Sequence, residues 1–166
     1  MIFKNIKKIF HISLIFPVFI FILDRISKIY VINLSKNSFD NELFLSKFLN
    51  VTLIWNEGIA FGLFSASHEY WYNFLTIVIV FTSLIIFIMS IKQDSAQRYF
   101  LLIVFGGALG NLYDRIFFKA VPDFIDLHVG DFHWFIFNIA DIFITFGVIM
   151  LILWETLPLN KNYEKR

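Results

Sequence analysis

The sequence predicts an all-α polytopic membrane protein with four transmembrane helices and a small extracytoplasmic β-sheet. Three observations lead to this fold class. Of the 166 residues, 58% are hydrophobic and only 16% are charged, which leaves too little polar surface for a soluble domain. Four apolar stretches are long enough to cross a bilayer. Between the first two of them lies a segment rich in β-branched and aromatic residues, which suits strands.

Each predicted span has about the 20 residues that a helix needs to cross about 30 Å of hydrocarbon. We expect the spans near Ile12 to Ile32, Tyr72 to Ile91, Tyr99 to Phe118 and Trp134 to Trp154. Within the third, Gly106 and Gly110 have the Gly-x-x-x-Gly spacing that predicts close helix packing. No linker or internal repeat interrupts the chain, so residues 1–166 are expected to form a single integral-membrane domain.

Basic residues predict the orientation of the spans. With four spans, eight of the 14 Lys and Arg residues fall on one side, which the positive-inside rule makes cytoplasmic. These are Lys4, Lys7, Lys8, Lys92, Arg98, Lys161, Lys165 and Arg166. Both termini are therefore expected in the cytoplasm, with residues 33–71 and 119–133 outside. The basic start followed by an apolar run resembles a signal peptide, but Asp24 and Arg25 stand where a cleavage site should follow, which predicts a retained helix.

The outer segment, residues 33–71, is too long for a structureless loop in a compact domain. The stretch LNVTLIWN, Leu49 to Asn56, partly alternates and is rich in β-branched and aromatic residues, so it predicts a strand. Gly58 and Gly62 then punctuate a second short stretch that ends at Phe64. We therefore expect a small sheet within residues 40–65, on the outer membrane surface.

Composition also excludes several kinds of site. The absence of Cys excludes a disulfide scaffold, a thiol nucleophile and a Cys-ligated metal. A net charge of +1 offers no basic surface of the kind that nucleic acid requires. Asp126, His128, Asp131 and His133 suggest a metal site, but no spacing such as H-E-x-x-H defines its geometry. We therefore expect no metal, no cofactor and no nucleic-acid partner.

Polar residues within the spans are the candidates for function, because an ionisable group at the centre of a membrane helix costs about 2.5–3.5 kcal/mol. Helical spacing gives several of them local partners: Asp24 with Lys28, and Asn111 with Asp114 and Arg115. Asn138 and Asp141 form a third pair on the fourth span. Asp141 has no cation within one helical turn, so a structural role explains it least well.

A second carboxylate, Asp123, lies in the outer loop that joins the third and fourth spans. Antiparallel neighbours would bring Asp123 close to Asp141 near the outer leaflet. Two carboxylates in a partly desolvated site cannot both ionise easily, so their pKa values separate into an acid and a base. Such a pair can activate water against an amide. Spacing alone equally allows Asp114 to pair with Asp141.

Five short motifs become recognisable once these residues are placed together. They are Asp24-Arg-Ile-Ser-Lys28, Asn56-Glu-Gly-Ile-Ala-Phe-Gly62, Gly106-Gly-Ala-Leu-Gly-Asn-Leu-Tyr-Asp-Arg115, Val121-Pro-Asp-Phe124 and Phe137-Asn-Ile-Ala-Asp141. In this order they resemble the five signatures of the signal peptidase II family, the lipoprotein signal peptidases. The resemblance extends from residue 24 to residue 141, and its third and fifth motifs are highly specific.

The resemblance implies a bacterial aspartic peptidase that cleaves prolipoproteins on the amino side of a diacylglyceryl-modified cysteine. It assigns catalysis to Asp123 and Asp141. It also assigns the substrate groove to Asn56, Gly58, Asn111, Arg115 and Asn138, and supporting roles to Asp24, Lys28 and Asp114. It implies a monomer in the cytoplasmic (inner) membrane, in contact with membrane lipid, with its active site toward the outer leaflet and its outer strands forming a cradle for substrate.

Two other classes of function remain as alternatives at this point. A small proton- or cation-coupled transporter also carries intramembrane carboxylates, but the sequence shows no inverted repeat and no pair of broken helices. A non-enzymatic membrane assembly factor explains the number of spans but gives no reason for Asp141. Cleavage of a lipidated substrate, compared with ion flux, distinguishes the three.

Overall fold

The structure, a computed structural model, describes residues 14–36, 41–58, 69–93 and 95–156. In chain order these residues form α1 (Ile15–Ser35), β1 (Glu42–Phe44), β2 (Leu49–Asn56), α2 (Glu69–Lys92), α3 (Gln97–Phe118), β3 (Val121–Val129), β4 (Phe132–Phe137) and α4 (Ile139–Thr156). The predicted combination of long helices with a small β-sheet is thereby confirmed.

Within the described part of the chain, three helices have the length and apolar composition to cross a membrane: Tyr70–Lys92, Gln97–Phe118 and Ile139–Thr156. The remaining helix, α1, has 21 residues, but it carries three charged side chains near its middle. All four helices expose large apolar side chains, such as Phe19 on α1, Phe81 on α2, Ile116 on α3 and Ile152 on α4. Such a surface favours hydrocarbon over water, so the protein is a multi-pass membrane protein.

The helix α3 is the centre of the bundle, because it packs against α1, α2 and α4. Glycines permit the close approach, as the Gly-x-x-x-Gly spacing predicted. A Cβ atom added to Gly107 would lie 2.6 Å from the carbonyl oxygen of Ala140, and one added to Gly110 would lie 2.5 Å from a carboxylate oxygen of Asp24. The missing side chains therefore bring the first turn of α4 and the carboxylate of α1 directly onto α3.

The sheet has the order β1-β2-β3-β4 and is antiparallel throughout. The predicted strand at Leu49–Asn56 is confirmed as β2. Its partners are β1 and β3, and β2 runs beside β3 with Ile54 opposite Asp123. The second stretch predicted in this segment, through Phe64, lies outside the described residues. A β3–β4 hairpin that turns at Gly130 completes the sheet, although the sequence predicted a loop there.

The predicted start of the fourth span at Trp134 is wrong. Residues 132–137 form β4, and the helix begins only at Ile139. The apolar run FHWFIF suits a buried helix or a strand equally, so periodicity did not separate them. Backbone pairing with β3 makes it a strand. The other three helices lie within a few residues of the predicted spans, and residues 12 and 13 of the first prediction lie outside the described part.

Candidate active site

The first turn of α4 positions Asp141 through a reciprocal cap. The side-chain oxygen of Asn138 accepts a hydrogen bond from the backbone N–H of Asp141 at 3.1 Å, and the Asp141 carboxylate accepts one from the backbone N–H of Asn138, also at 3.1 Å. The carbonyl of Asn138 accepts the first helical hydrogen bond, from Ile142. Asn138 is therefore the N-cap of α4 and not part of its face, and Asp141 is the acidic partner of a capping box.

Asp123 approaches the same cap from strand β3. Its side chain is 4% exposed, and its two oxygens accept hydrogen bonds from two different amides. The Nδ2 of Asn138 donates to Oδ1 at 2.6 Å, and the Nδ2 of Asn56, at the end of β2, donates to Oδ2 at 2.9 Å. Asn138 thus contacts both aspartates, which places the two carboxylates at one site.

Three asparagine side chains have their orientation fixed by a donor on their carbonyl oxygen. The Oδ1 of Asn56 accepts from the backbone N–H of Gly58 at 2.9 Å, and the Oδ1 of Asn111 accepts from Lys28 Nζ at 2.9 Å. Asn111 therefore turns its Nδ2 toward Asp141 Oδ1, at 2.7 Å. With the cap at Asn138, each of the four oxygens of the two carboxylates accepts one N–H donor.

A cavity of about 510 Å³ opens at the two carboxylates. Its lining residues come from α2, α3, α4 and the sheet. Its polar lining contains six of the predicted site residues: Asn56, Asn111, Arg115, Asp123, Asn138 and Asp141. Its apolar lining consists of Leu75, Ile79, Val121, Phe135, Ile136 and Ile144. The sequence carries no signal for this apolar wall, because its residues resemble any lipid-facing residue.

The surroundings of Asp123 disfavour the charged form of its carboxyl group. Burial, the largest influence, raises the pKa of Asp123 to about 6. The hydrogen bond from Asn56 opposes this rise because it stabilises the carboxylate, while the negative charge of Asp141 adds to it. The site therefore combines two carboxyl groups, one of which ionises well above the ordinary range.

Arg115 links the backbone just after β2 to α3 and lines the cavity. Its side chain is buried, and its Nη2 donates to the carbonyl oxygen of Gly58. Among the described residues its Nε and Nη1 have no hydrogen-bond partner. The Tyr72 ring lies 5.6 Å from the guanidinium carbon. Arg115 thus braces the backbone beside Asn56 and contributes to the lining of the cavity.

The supporting residues Asp24, Lys28 and Asp114 form a fully buried charged cluster behind the site. Lys28 and Asp24 contact each other at 3.0 Å, as their spacing predicted. Asp114, however, does not pair with Arg115 on its own helix. Its oxygens accept hydrogen bonds from Lys28 and from Arg25, a residue to which sequence reasoning gave no role. The alternative pairing of Asp114 with Asp141 gains no support, because α1 already provides both of its partners.

Asp126, His128 and His133 of the β3–β4 hairpin make local contacts. The Nδ1 of His133 lies 2.8 Å from Asp126, and the His128 ring lies between the carbonyl oxygens of Ser46 and Gly130. Within the described ranges, no group of three or more His, Asp or Glu side chains has an arrangement that could hold a metal ion.

Comparison with known proteins identifies the relatives of this chain. The family model of signal peptidase (SPase) II matches residues 16–157. The lipoprotein signal peptidase of Pelagibacter ubique (strain HTCC1062) is 48% identical over 162 residues, which cover 98% of this chain and 97% of the relative. That of Anaplasma phagocytophilum (strain HZ) is 46% identical over 137 residues, 80% of this chain and 84% of the relative.

Two solved structures of bacterial membrane enzymes share the fold. One superposes with a TM-score of 0.69 at 32% sequence identity, and the match covers 92% of this chain and 91% of the chain in that structure. The other has a TM-score of 0.74 at 27% identity, and the match covers 89% of this chain and 94% of the chain in that structure.

Proposed function

The chain belongs to the signal peptidase II family, and we propose that it uses Asp123 and Asp141 to remove the signal peptide of diacylglyceryl-modified prolipoproteins. Cleavage occurs on the amino side of the cysteine that bears the lipid. The observation that carries this proposal is the pair of carboxylates in one cavity, where the three asparagines hold every carboxylate oxygen in place. A site preorganised in this way needs little rearrangement when charge develops during hydrolysis.

The proposed chemistry is direct attack of water on the scissile amide. One aspartate removes a proton from water as the water oxygen bonds to the carbonyl carbon, and the other, protonated, transfers its proton to the carbonyl oxygen. When the C–N bond breaks, the first aspartate protonates the leaving nitrogen, and the second takes back the hydroxyl proton. The products are a carboxylic acid and a free amino group, and the pair regains its single proton.

The surrounding residues bind the substrate in this proposal. Arg115, which lines the cavity, places its positive charge near a carbonyl or ester oxygen of the substrate, and the apolar wall of Leu75, Ile79 and Ile144 accepts the end of the signal peptide. The diacyl chains remain in lipid and hold the cysteine at a set depth, which confines the scissile bond near the aspartates.

We place this enzyme in the inner membrane of a bacterium as a monomer with four spans. α1 is counted as a span in addition to the other three helices, because its charged side chains meet partners on α3 and do not face lipid. Both termini lie in the cytoplasm, as the basic residues predict, and the sheet and the cavity then lie toward the outer leaflet.

Cleavage of a lipidated peptide by the reconstituted protein tests the proposed function. We expect a peptide with a diacylglyceryl-cysteine to be cut with a kcat/KM at least about 100-fold above that of the same peptide with a free thiol, because only the lipidated form partitions to the bilayer. Mass spectrometry of the products locates the bond. EDTA should leave the rate unchanged. Equal cleavage of the two peptides, or none of either, would contradict the proposal.

The pH dependence of cleavage follows from the pKa of about 6 at Asp123. Because the reaction needs one proton on the pair, kcat/KM should fall as pH rises above about 6 and approach a tenfold loss per pH unit. Asn56→Leu removes a hydrogen bond that stabilises the carboxylate, so it should raise this pKa and move the decline to higher pH. Initial rates between pH 5 and pH 9 measure both effects.

A matched variant on the same strand separates this effect from a general disturbance of the sheet. Asn50 also donates to a β3 aspartate, Asp126, at 3.5 Å, but it does not line the cavity. Asn50→Leu should therefore leave the pH of the decline in place. A profile that is flat from pH 5 to pH 8, or an equal shift in both variants, would show that Asp123 does not control the reaction.

A further inference from the structure

We propose that Lys28 is a positioning residue for catalysis, which acts through Asn111 to keep a hydrogen-bond donor on Asp141. The inference rests on the proposed function, in which Asp141 is one of the two reacting carboxylates. It assigns Lys28 a role beyond that of a helix-to-helix ion pair. Lys28 does not touch the cavity, so any effect on the reaction has to pass through its neighbours.

Lys28 makes two hydrogen bonds and one further ion-pair contact. The side chain is fully buried, and its Nζ lies 2.7 Å from Asp114 Oδ2, 3.0 Å from Asp24 Oδ2 and 2.9 Å from Asn111 Oδ1. The contact with Asp114 connects α1 to α3, and the contact with Asp24 lies within α1. The third is made to a neutral amide, and this amide donates to Asp141 at 2.7 Å. A path of two hydrogen bonds thus joins a buried cation to a reacting carboxylate.

The position of the cation decides which end of the Asn111 amide faces Asp141. An ammonium group has no acceptor, so it can contact only the Oδ1 end of the amide. If the amide turned by 180°, its NH₂ would meet the ammonium and its oxygen would meet the carboxylate, and both contacts would be repulsive. Lys28 therefore selects one of the two orientations of the Asn111 amide. In this orientation Asp141 Oδ1 keeps its N–H donor while the carboxyl group gains or loses a proton.

The ion-pair role of Lys28 can be separated from this positioning role. Arg25 donates to both Asp24 and Asp114, so the cluster holds two carboxylates and two cations. Removing the charges of Lys28 and Asp24 together leaves Arg25 paired with Asp114 and keeps the cluster neutral. Asp24 also accepts from the backbone N–H of Ala140 at 3.1 Å, and an asparagine at this position retains an acceptor for that bond.

The test is a double-mutant cycle on the full-length protein with the lipidated peptide. Its arms are Asp24→Asn alone, Asp24→Asn with Lys28→Met, Asn111→Ala with Asp24→Asn, and all three changes. Without Lys28, we expect kcat to fall about 100-fold, the loss that misplacement by about 1 Å carries, while KM changes by less than about threefold. When Asn111→Ala is already present, adding Lys28→Met should lower kcat further by less than about threefold, because the path of hydrogen bonds is already broken.

A purely structural role predicts the opposite pattern. In one such result, Lys28→Met lowers kcat by the same factor whether or not Asn111 is present. In the other, kcat for the folded fraction stays at the level of Asp24→Asn alone. Either result overturns the proposal. Thermal unfolding of each variant measures the folded fraction, and Lys28→Leu with Asp24→Asn, which likewise lacks a donor for Asn111, serves as a second variant if the Met form does not fold. If the unmodified enzyme fails to cut the lipidated peptide, the proposed function fails instead, independently of Lys28.

Discussion

Asp141→Asn is expected to lower kcat for cleavage of the lipidated peptide by about 10⁴-fold or more, and Asp123→Asn to do the same. An amide can neither take a proton from water nor return one to the leaving nitrogen, so either change removes proton transfer from the reaction. Because the two carboxyl groups act as a unit, the double variant should be no slower than the slower single variant. Single-turnover cleavage with excess enzyme measures these rates.

The folded structure should survive both changes. Asn retains the shape of Asp, and the loss of one acceptor costs about 1–3 kcal/mol at a buried hydrogen bond. Asp126→Asn is the matched control, because Asp126 lies on the same strand as Asp123 and is equally buried, but pairs with His133 away from the cavity. Its kcat should stay within about threefold of the unmodified enzyme. Processing by either Asp141→Asn or Asp123→Asn at the rate of this control would disprove the aspartate pair.

Asn138→Leu should lower kcat by about 10³-fold, the second largest effect expected. Asn138 caps α4 and donates to Asp123, so its loss releases both aspartates from their positions. Loss of the cap alone should lower the free energy of unfolding by about 1 kcal/mol. Misplacement of one reacting group costs about 10²-fold, and two groups depend on this residue.

Asn138→Ser distinguishes the two contacts of this side chain. A serine hydroxyl is a good N-cap and can still accept from the backbone N–H of Asp141, but it lacks the amide that donates to Asp123. We expect Asn138→Ser to unfold near the temperature of the unmodified protein and still to lose about 10²-fold in kcat. If Asn138→Ser retained full activity, the bond to Asp123 would have no part in catalysis. Circular dichroism on heating gives the unfolding temperatures.

The fold could be predicted from the sequence where one physical effect dominated. Long apolar runs have no stable place in water, so three helices were found to within a few residues. Strand β2 was found because alternation and β-branched residues agreed. Prediction failed at Trp134, where the apolar composition fits a helix or a strand and pairing with β3 decides. It also missed the β3–β4 hairpin, which depends on the same long-range pairing.

The site shows the same division between local and distant contacts. The spacing of Asn138 and Asp141 is that of a capping box, so their mutual contact was accessible to local reasoning. The pairing of Asp24 with Lys28 followed from helical spacing. The partners of Asp114 could not be predicted from helical spacing, because Arg25 and Lys28 come from a helix more than 80 residues earlier. They meet Asp114 only when α1 packs on α3.

The sequence alone therefore determined that this protein resides in a membrane and which family its motifs resemble, and that resemblance proposes Asp123 and Asp141 as the catalytic pair. These depend on composition and on short spacings, which any conformation of the chain retains. Only the tertiary structure decided which amide faces which carboxylate, because Asn56, Asn111 and Asn138 come from three separate elements. Their orientation depends on donors that Gly58, Lys28 and Asp141 supply after the helices and the sheet have packed together.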